Sequence, residues 1–282
     1  MKSVFVAGAT GYLGRHLCRE FSRRGWYVTA LVRNAARAGD LDADTLVEAE
    51  ATRAETLRGA MEGADLVVSA LGITRQADGL GYRDVDYGAN LNLLAEARRA
   101  GVGRFAYVHV LNASRMPGVP LVAAKADFVV ALQASDIAST IVAPSGFFSD
   151  MQAFFDMARA GRAWLFGSGT ARINPIHGAD LARALVDAVE AGRGWIDVGG
   201  PETFTQSEIA ALAFAALGKP VRITRLPDMV RRTALRLLPF VTPRKVHGPA
   251  QFFLTAMAMD MVGAPTGSRS LARHFSDLAA KG

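Results

Sequence analysis

Three glycines near the N-terminus constrain the fold more than any other feature of this chain. Gly8, Gly11 and Gly14 directly follow an apolar run at 3–7 and open a helical pattern. In such a turn the first glycine permits the tight bend, the second lets a pyrophosphate approach the backbone, and the third lets the helix pack closely against the strand. The free N–H groups at the start of the helix also favour negative charge. The spacing predicts a strand–turn–helix unit that binds a dinucleotide; the alternative is a glycine-rich turn without a ligand. The predicted cofactor-binding turn also contains Thr10, Tyr12 and Leu13.

Strand-like and helix-like segments alternate through the first half of the chain. The apolar runs typical of buried strands lie at 3–7, 27–32, 46–48, 66–70, 105–110 and 139–142. The longest helical patterns between them lie at 82–100 and 121–134. Continuous apolar strands that alternate with helices are typical of a parallel sheet covered on both faces. The predicted fold class is therefore α/β, with a doubly wound parallel sheet.

From residue 146 onward the pattern is less regular. A stretch rich in Phe and Met at 147–157 predicts a helix that packs over other elements. The segments expected to return to the sheet layer are strands at 173–176 and 195–198, with a helix at 179–191 between them. Thr205, followed three residues later by Glu208, predicts a helix N-terminus with a capping box.

These patterns predict two interleaved parts. The dinucleotide-binding domain is expected to comprise 1–145 and 173–200. A smaller substrate or lid part is expected to comprise 146–172 and 201–282.

Composition narrows the class of protein further. Half of the 282 residues are apolar and 21% are charged, which is typical of a soluble globular protein and excludes a disordered chain. The longest run without charged residues, 246–259, contains Gly248-Pro249 and is shorter than the ~20 residues that span a bilayer. We therefore expect no transmembrane helix, and the N-terminus shows no signal peptide. Cys18 is the single cysteine, which excludes an internal disulfide and fits a cytoplasmic location.

The end of the second predicted strand bears on the choice of cofactor. Arg33 follows this strand, at the position where an acidic residue would bind the ribose 2′-hydroxyl of NAD. Because an arginine suits a 2′-phosphate, we predict NADP(H) rather than NAD(H), with Arg15 or Arg37 as helpers. A charge-assisted contact of this kind contributes about 1.5–3 kcal/mol. The alternative for Arg33 is a solvated residue at the end of a strand.

Several segments together resemble the short-chain dehydrogenase/reductases of the extended or atypical kind, which have a Rossmann fold. The resembling segments are the glycine turn at 8–14, 68–72, 85–90, 143–148 and 174–180, and the resemblance covers about 1–220. The resemblance implies that Glu50 lies where family members contact adenine. It also implies a cofactor-binding role for Ala70, Leu71, Gly72 and Pro144. Within the family, 164–170 and 198–201 are most similar to divinyl chlorophyllide reductase-like members, and NmrA-like members are also similar.

The chain departs from the family at the catalytic residues. Family members use a Tyr-x-x-x-Lys pair, in which residues i and i+4 share one helix face and the lysine lowers the pKa of the tyrosine. Lys125 fits the lysine position, but Leu121 stands where the tyrosine is expected. The serine expected at the end of the fifth strand is also absent from 108–112. Lys125 is therefore the catalytic candidate, expected to bind the nicotinamide ribose; the alternative is a surface lysine on an amphipathic helix.

Other candidate residues have weaker support. His109 near a strand end is either a proton donor or a histidine of the core or rim, and His177 is expected to belong to a helix cap. Tyr82 and Tyr87 are candidates for a catalytic tyrosine at a displaced position, but neither has the spacing to Lys125 that would support this role. No cluster of His, Cys, Asp and Glu has metal-ligand spacing, so no metal is expected.

Three functions remain open at this stage. The first is an NADPH-dependent reductase of an apolar, conjugated or anionic small molecule, with the proton supplied by the substrate or by water. The second is a non-catalytic NADP(H)-binding regulator of the NmrA-like kind. The third is an accessory protein at a membrane surface or in a complex that keeps the nucleotide as a structural ligand.

The net charge of +6 is concentrated in one segment. Between residues 222 and 245 there are seven basic residues and one acidic residue, while the rest of the chain carries 25 of each. No nucleic-acid partner is expected, because the excess charge is not spread over a surface and no nucleic-acid motif accompanies it. Val230, Ala234, Leu237 and Leu238 share one helical arc, with Arg232 and Arg236 opposite. Three roles for 227–245 remain open: a solvated helix face, a cover over an anionic substrate, and peripheral membrane contact.

Overall fold

The computed structural model describes residues 1–73 and 79–281, and the chain divides into two compact units. The first unit comprises Met1–Ala143 and Leu181–Ile196, and the second comprises Pro144–Asp180 and Asp197–Gly282. Relative to the predicted division, residues 144–145, 173–180 and 197–200 group with the second unit rather than the first. The assignment of cofactor binding and substrate binding to the two parts stays a prediction.

The main sheet has eight strands in the order β12-β9-β6-β5-β4-β1-β2-β3. The strands are β1 (Ser3–Ala7), β2 (Tyr27–Val32), β3 (Thr45–Glu48), β4 (Leu66–Ser69), β5 (Arg104–Val108), β6 (Ala138–Pro144), β7 (Ala163–Phe166), β8 (Arg172–Ile173), β9 (Trp195–Gly199), β10 (Phe204–Thr205), β11 (Ile223–Leu226) and β12 (Ala264–Pro265). In the first unit β1 pairs in parallel with both β2 and β4, and Val6 lies opposite Ala30 and Val68. The predicted doubly wound α/β fold is confirmed.

Nine α-helices lie in the described ranges. They are α1 (Tyr12–Arg23), α2 (Asn90–Arg99), α3 (Pro120–Gln133), α4 (Gln152–Arg159), α5 (Gly178–Glu190), α6 (Gln206–Ala216), α7 (Asp228–Val241), α8 (Arg244–Ala256) and α9 (Leu271–Lys281). Short 3₁₀ turns occur at Ala35–Arg37, Ala54–Leu57, Ala113–Arg115 and Phe148–Met151. None of these helices, within 1–73 and 79–281, is long and apolar enough to cross a membrane.

The core of the first unit is built from the strands that sequence periodicity predicts. Phe5, Phe105, Tyr107 and Phe128 are fully buried in one continuous cluster. Burying a large side chain of this kind contributes about 1.5–3 kcal/mol. The packed strands therefore hold the ends of β1, β4 and β5 in fixed positions.

The segment predicted as one helix at 82–100 begins instead as a π-helix at Arg83–Ala89 and becomes α-helical at Asn90. A π turn leaves carbonyl groups without their usual α-helical donors. The Asn90 side chain donates to the carbonyls of Val85 and Asp86 at 3.3 and 3.0 Å, and accepts from the Ser69 hydroxyl at 2.5 Å. This buried asparagine therefore fixes the π register against the end of β4.

In the second unit, the prediction that 173–176 returns to the main sheet is wrong. β8 pairs with β10 in a separate antiparallel ribbon. Pro175 has no N–H to donate to a ladder, and the Asn174 side chain donates to the carbonyls of Gly200 and Gly263. Elsewhere the predictions hold: the stretch at 147–157 contains a 3₁₀ turn and most of α4, 195–198 forms β9, and Thr205 and Glu208 form the predicted capping box.

Candidate functional site

The glycine turn has the geometry that the sequence predicts. Gly8 has φ of +80°, and a Cβ there would lie 2.9 Å from the backbone of Ala70 at the end of β4. A Cβ on Gly14 would lie 2.0 Å from the carbonyl oxygen of Gly8, which no side chain tolerates. The first and third glycines are therefore required for the bend and for the packing of α1 against it, as the sequence argument proposed.

The start of α1 leaves backbone donors available to a ligand. Gly11 is the N-cap residue and supplies no side-chain cap, and both Gly11 and Thr10 are exposed. Tyr12 is half-exposed with its ring against His16, whereas the Leu13 side chain is buried. This turn fits the pyrophosphate of a dinucleotide, because main-chain N–H groups at a helix N-terminus bind phosphate oxygens.

The three arginines predicted to select NADP(H) have different environments. The Arg15 guanidinium donates to the carbonyls of Ala38 and Asp40 at 2.9 and 3.1 Å, so it holds the loop after β2. Arg33 and Arg37 are exposed, and neither guanidinium makes a hydrogen bond or ion pair with the described residues. Arg33 therefore stays available for a 2′-phosphate, while Arg15 has a structural role.

The residues predicted on the adenosine side lie at the ends of β3 and β4. Glu50 is half-buried and accepts a hydrogen bond from the Thr52 hydroxyl at 3.2 Å. Ala70 and Leu71 are half-buried, and Gly72 is exposed. They follow the carboxyl end of a parallel strand, which is where ligands bind in folds of this class.

Lys125 lies in a buried polar cluster rather than on a solvated helix face. Its Nζ is 3.3 Å from Asp86 Oδ1, 3.4 Å from Tyr107 Oη and 3.2 Å from the carbonyl oxygen of Val108. The Lys125 side chain is 12% exposed and that of Asp86 is fully buried. The ammonium group thus donates hydrogen bonds to Tyr107 and to the Val108 carbonyl and forms an ion pair with the Asp86 carboxylate. We refer to Lys125, Asp86 and Tyr107 as the lysine cluster.

Burial and charge together set the ionisation of this cluster. Burial raises the pKa of Asp86, and the neighbouring Lys125 counteracts part of that rise. For Lys125 burial acts to lower the pKa, but Tyr107 and Asp86 outweigh it, so that its pKa is raised. Burial also raises the pKa of Tyr107 to about 12. Lys125 is therefore charged and Tyr107 neutral at physiological pH.

Gly72 makes room for the lysine cluster. A Cβ at this position would lie 2.7 Å from Asp86 Oδ1 and 3.2 Å from Lys125 Nζ. The backbone after β4 thus passes directly over the carboxylate and the ammonium. Gly72 therefore links the predicted adenosine side of the cofactor site to the predicted ribose-binding lysine.

Comparison with known proteins decides the family. The model of the NAD(P)H-binding family matches residues 8–191, which is more than half of the chain. The chain belongs to the NAD(P)H-binding family. The resemblance to atypical short-chain dehydrogenase/reductases is thereby confirmed.

Relatives within this family have different printed functions. The chain is 31% identical over 236 residues to the photosystem II assembly factor Ycf39 of Synechocystis sp., covering 81% of this chain and 72% of that protein. It is 30% identical over 260 residues to the chloroplastic divinyl chlorophyllide a 8-vinyl-reductase of Oryza sativa subsp. indica. That match covers 84% of this chain and 64% of the rice protein. The structure of an NADPH-dependent quinone oxidoreductase of Escherichia coli, solved with NADPH, superposes on this chain with a TM-score of 0.77 at 21% sequence identity. The superposition covers 98% of this chain and 99% of that protein. This last likeness concerns the fold.

Compared with the usual NAD(P)H-binding reductase pattern, the first unit lacks the catalytic phenol at the expected place. Leu121 is buried, four residues before Lys125 on α3. Tyr82 is buried and Tyr87 is half-buried, its ring covered by the Arg83 guanidinium at 4.5 Å. Neither tyrosine is among the groups that contact Lys125.

His109 is a buried neutral histidine beside the lysine cluster. It lies two residues after Tyr107, and the two ring centroids are 6.4 Å apart. Burial, with a smaller contribution from Lys125, lowers its pKa to about 4. Its Nδ1 has no hydrogen-bond partner among the described residues. The structure thus brings His109 to the cluster but keeps it uncharged at neutral pH.

Two residues of the resembling stretch 174–180, in the second unit, make structural contacts. His177 Nδ1 accepts from the Ala179 N–H at 3.1 Å at the start of α5, as expected for a cap residue. Asp180 is buried, accepts from the N–H groups of Ser268 and Arg269, and pairs with the Arg269 side chain. Pro144 is the buried last residue of β6. Its predicted contact with the cofactor stays a prediction.

The second unit also contains two adjoining cavities, and the residues that line them lie within the ranges predicted as the substrate or lid part, 146–172 and 201–282. One has a volume of about 240 Å³ and an apolar lining that includes Phe154, Met157, Leu165, Phe253 and Met257. The other, of about 340 Å³, is more polar and is lined by the loop at 167–171 together with Asp228 and Arg231. Among residues 1–73 and 79–281, no group of three or more His, Cys, Asp and Glu is arranged to hold a metal ion.

Sequence reasoning missed Asp86 and Tyr107 as members of the site. Asp86 lies in the resembling stretch 85–90, and its one available signal was an acidic residue between apolar Val85 and aromatic Tyr87. Tyr107 shares a strand face with His109, because alternate residues of a strand point to the same side. The alternation predicts that Tyr107 and His109 lie on the same side of the sheet. It does not predict that α3 brings Lys125 to that side, which only the structure shows.

Proposed function

We propose that this chain is an NADP(H)-dependent reductase that acts on an apolar or conjugated small molecule. The observation that carries the proposal is the buried lysine cluster beside Gly72. Burying an ion pair costs free energy, and dinucleotide binding by a glycine turn does not require it. Ionisable groups with shifted pKa values are concentrated at functional sites. The cluster therefore supports an active site at the ends of β4 and β5.

Within this proposal Lys125 binds the hydroxyl groups of the nicotinamide ribose. Its contact with the neutral carbonyl of Val108 is the one that a ribose hydroxyl replaces at least cost, because Asp86 then stays paired. Asp86 and Tyr107 are positioning residues, which hold the ammonium at the end of the strands. When bound, NADPH supplies the hydride. Since Leu121 replaces the usual tyrosine, the substrate or water supplies the proton.

The preference for NADP(H) rests on Arg33. Its exposed guanidinium makes no ion pair among the described residues and follows β2, where a 2′-phosphate binds in dinucleotide folds. We expect Arg33→Asp to lose about ten- to hundredfold in affinity for NADPH and to change little for NADH. Arg58→Asp, an exposed arginine outside the site, is the matched control. Equal losses for both cofactors would contradict a role in selecting NADP(H).

The apolar cavity of the second unit supports an apolar substrate. Its volume of about 240 Å³ and its lining of aromatic side chains and methionines fit the unsaturated part of a small molecule. The rice relative is named a divinyl chlorophyllide a 8-vinyl-reductase, a name that states reduction of a vinyl group. Both observations favour reduction of a conjugated bond over oxidation of a polar alcohol.

The test combines cofactor binding with turnover. NADPH fluorescence measures binding, and absorbance at the nicotinamide band measures oxidation in the presence of soluble quinones and α,β-unsaturated carbonyl compounds. The double variant Asp86→Asn/Lys125→Met removes both charges of the pair, so it loses the function without leaving a lone buried carboxylate. Lys219→Met is the control, because the Lys219 ammonium contacts the Arg159 carbonyl on the surface. Wild-type turnover in the double variant would overturn the role of the cluster.

A second function is favoured by Leu121. A chain that binds NADP(H) without catalysis does not need a phenol, and the buried Leu121 at the tyrosine position fits such a chain. The 31% identical relative is named an assembly factor rather than an enzyme. Tight NADPH binding by the wild type, with no oxidation by any substrate of the panel, would favour this non-catalytic function.

A further inference from the structure

Exposed apolar side chains are concentrated on one helix of the second unit. Fifteen large apolar side chains are exposed in the described part of the chain, and six of them lie between residues 229 and 246. On α7, Met229 is 74% exposed, Phe240 86% and Val241 72%. Scattered single exposures are normal, but a contiguous apolar patch marks an interaction surface.

Helix geometry places these side chains on one side of α7. Met229, Arg236 and Phe240 are spaced by seven and four residues and so lie above one another on the same face. Leu237 and Val230 lie next to them, also seven residues apart. We define the α7 outer face as Met229, Val230, Arg232, Arg236, Leu237, Phe240 and Val241.

The opposite side of α7 is fixed to the rest of the unit. Arg231 is the buried residue of this helix; it donates to the Asp228 carboxylate at 2.6 and 3.2 Å and to the Leu254 carbonyl of α8 at 3.2 Å. The predicted apolar arc is therefore divided, since Ala234 and Leu238 are half-buried whereas Leu237 is exposed. Because the inner side is anchored, the orientation of the α7 outer face is set by the fold.

The charge around this face is positive. Asp228 is the one acidic residue between 222 and 245, and its carboxylate is occupied by Arg231 and by Arg232, the latter at 2.7 Å. Arg236 is exposed and has no ion pair with the described residues. Arg244 and Lys245 add to the charge by sequence, although their side chains lie outside what the structure describes.

We propose that the α7 outer face docks the chain onto an anionic lipid surface, with α7 lying in the plane of the interface. Exposed apolar residues beside arginines are the pattern of helices that rest on membranes, where the apolar side chains enter the acyl boundary and the cations meet the headgroups. A second copy of this chain is disfavoured as the occupant, because it would bring two segments of net charge +6 together. This inference rests on unit 2 alone and does not depend on the proposed reductase function.

Vesicle binding by the full chain tests the proposal. The probes are vesicles of phosphatidylcholine alone and of phosphatidylcholine with phosphatidylglycerol, measured by co-sedimentation at low and high salt. We expect binding to the anionic vesicles only, weakened by salt. Arg232→Gln/Arg236→Gln should weaken it about 25-fold, on the basis of about fivefold for each arginine near the surface. Arg231 is left unchanged, because it anchors the helix.

The apolar contribution needs its own variant and controls. Leu237→Ser/Phe240→Ser should lose at least tenfold in vesicle affinity while keeping the far-ultraviolet circular dichroism of the wild type. Val130→Ser and Arg58→Gln carry equivalent changes at exposed positions of the first unit and should bind as the wild type does. Binding of wild type and face variants with equal affinity would overturn the proposal. A second outcome would also overturn it: the wild type binds no vesicles, and light scattering shows a dimer that Leu237→Ser/Phe240→Ser abolishes. That result would assign this face to a second copy of the chain.

Discussion

Replacing Lys125 by methionine removes the ammonium from the lysine cluster and keeps the packing of the side-chain stem. Asp86 then stays fully buried, and among the described residues the Ile73 N–H, at 3.3 Å, is its remaining donor. Breaking a buried pair by removing one partner costs about 3–5 kcal/mol, since the remaining charge is uncompensated. The Ile73 contact places the expected loss for Lys125→Met near the lower end, about 3 kcal/mol of unfolding free energy at neutral pH.

The pH dependence of this loss has a definite sign. Burial already raises the pKa of Asp86, and removing Lys125 takes away the charge that opposes the rise. A carboxyl whose pKa is higher in the folded than in the unfolded chain stabilises the fold when protonated, and that contribution is lost as the pH rises through the folded value. The destabilisation of Lys125→Met should therefore be largest at pH 8 and shrink towards pH 5, by at most about 1.4 kcal/mol for each pH unit.

Urea unfolding followed by circular dichroism measures both effects. The wild type, Lys125→Met, Asp86→Asn and the double variant form a cycle, measured at pH 8 and pH 5. We expect Asp86→Asn to restore much of the stability lost by Lys125→Met, because no lone charge is then buried. Lys219→Met should change stability by less than about 0.5 kcal/mol. Additive losses, or a loss for Lys125→Met that is the same at both pH values, would refute the buried ion pair.

Three further predictions concern single residues. The pKa of His109 is about 4 in the folded chain and 6.5 in the unfolded chain. The free energy of unfolding of the wild type should therefore fall by up to about 3 kcal/mol as the pH drops from 6.5 to 4. In urea titrations His109→Gln should show a correspondingly smaller fall. Gly14→Ala would place a Cβ 2.0 Å from the carbonyl of Gly8, so NADPH fluorescence titration should detect no binding at concentrations that saturate the wild type. Thr205→Ala removes the N-cap hydrogen bond to the Glu208 N–H and should cost about 1 kcal/mol, measured as a lower Tm than that of the wild type. Unchanged behaviour in any of these variants would contradict the corresponding argument.

The sequence was sufficient for the features that depend on neighbouring residues. The glycine turn, the parallel strands and the capping box at Thr205 each follow from local backbone requirements or from a hydrophobic period. The family pattern identifies Lys125 by its position. It does not pair Lys125 with Asp86, because the two residues are far apart in the chain and meet only where α3 packs against the π-helix.

Other misses have equally specific causes. A π-helix at Arg83–Ala89 cannot be distinguished from an α-helix by hydrophobic period, and its cause, the Asn90 side chain, acts through hydrogen bonds to backbone carbonyls. The apolar residues of 173–176 predict a strand of the main sheet, but β8 pairs with β10 instead, because Pro175 has no N–H to donate and the Asn174 side chain binds the carbonyls of Gly200 and Gly263. On α7 the predicted apolar arc is divided between the exposed Leu237 and the half-buried Leu238, because Arg231 anchors the inner side of the helix to α8 through the Leu254 carbonyl.

The lysine cluster also constrains the proton that a reductase of this kind needs. Tyr107 is fully buried with a pKa of about 12, so it is a poor proton source at neutral pH, although it contacts Lys125 as a catalytic tyrosine would. His109 is neutral above a pKa of about 4, and the pKa of Lys125 is raised. None of these three groups changes its charge between pH 7 and 9. If the proton comes from the substrate or from water, kcat for NADPH oxidation should be flat across this range. A step in kcat within it, retained in His109→Gln, would show that another titrating group donates the proton and that the catalytic part of the proposal is incomplete.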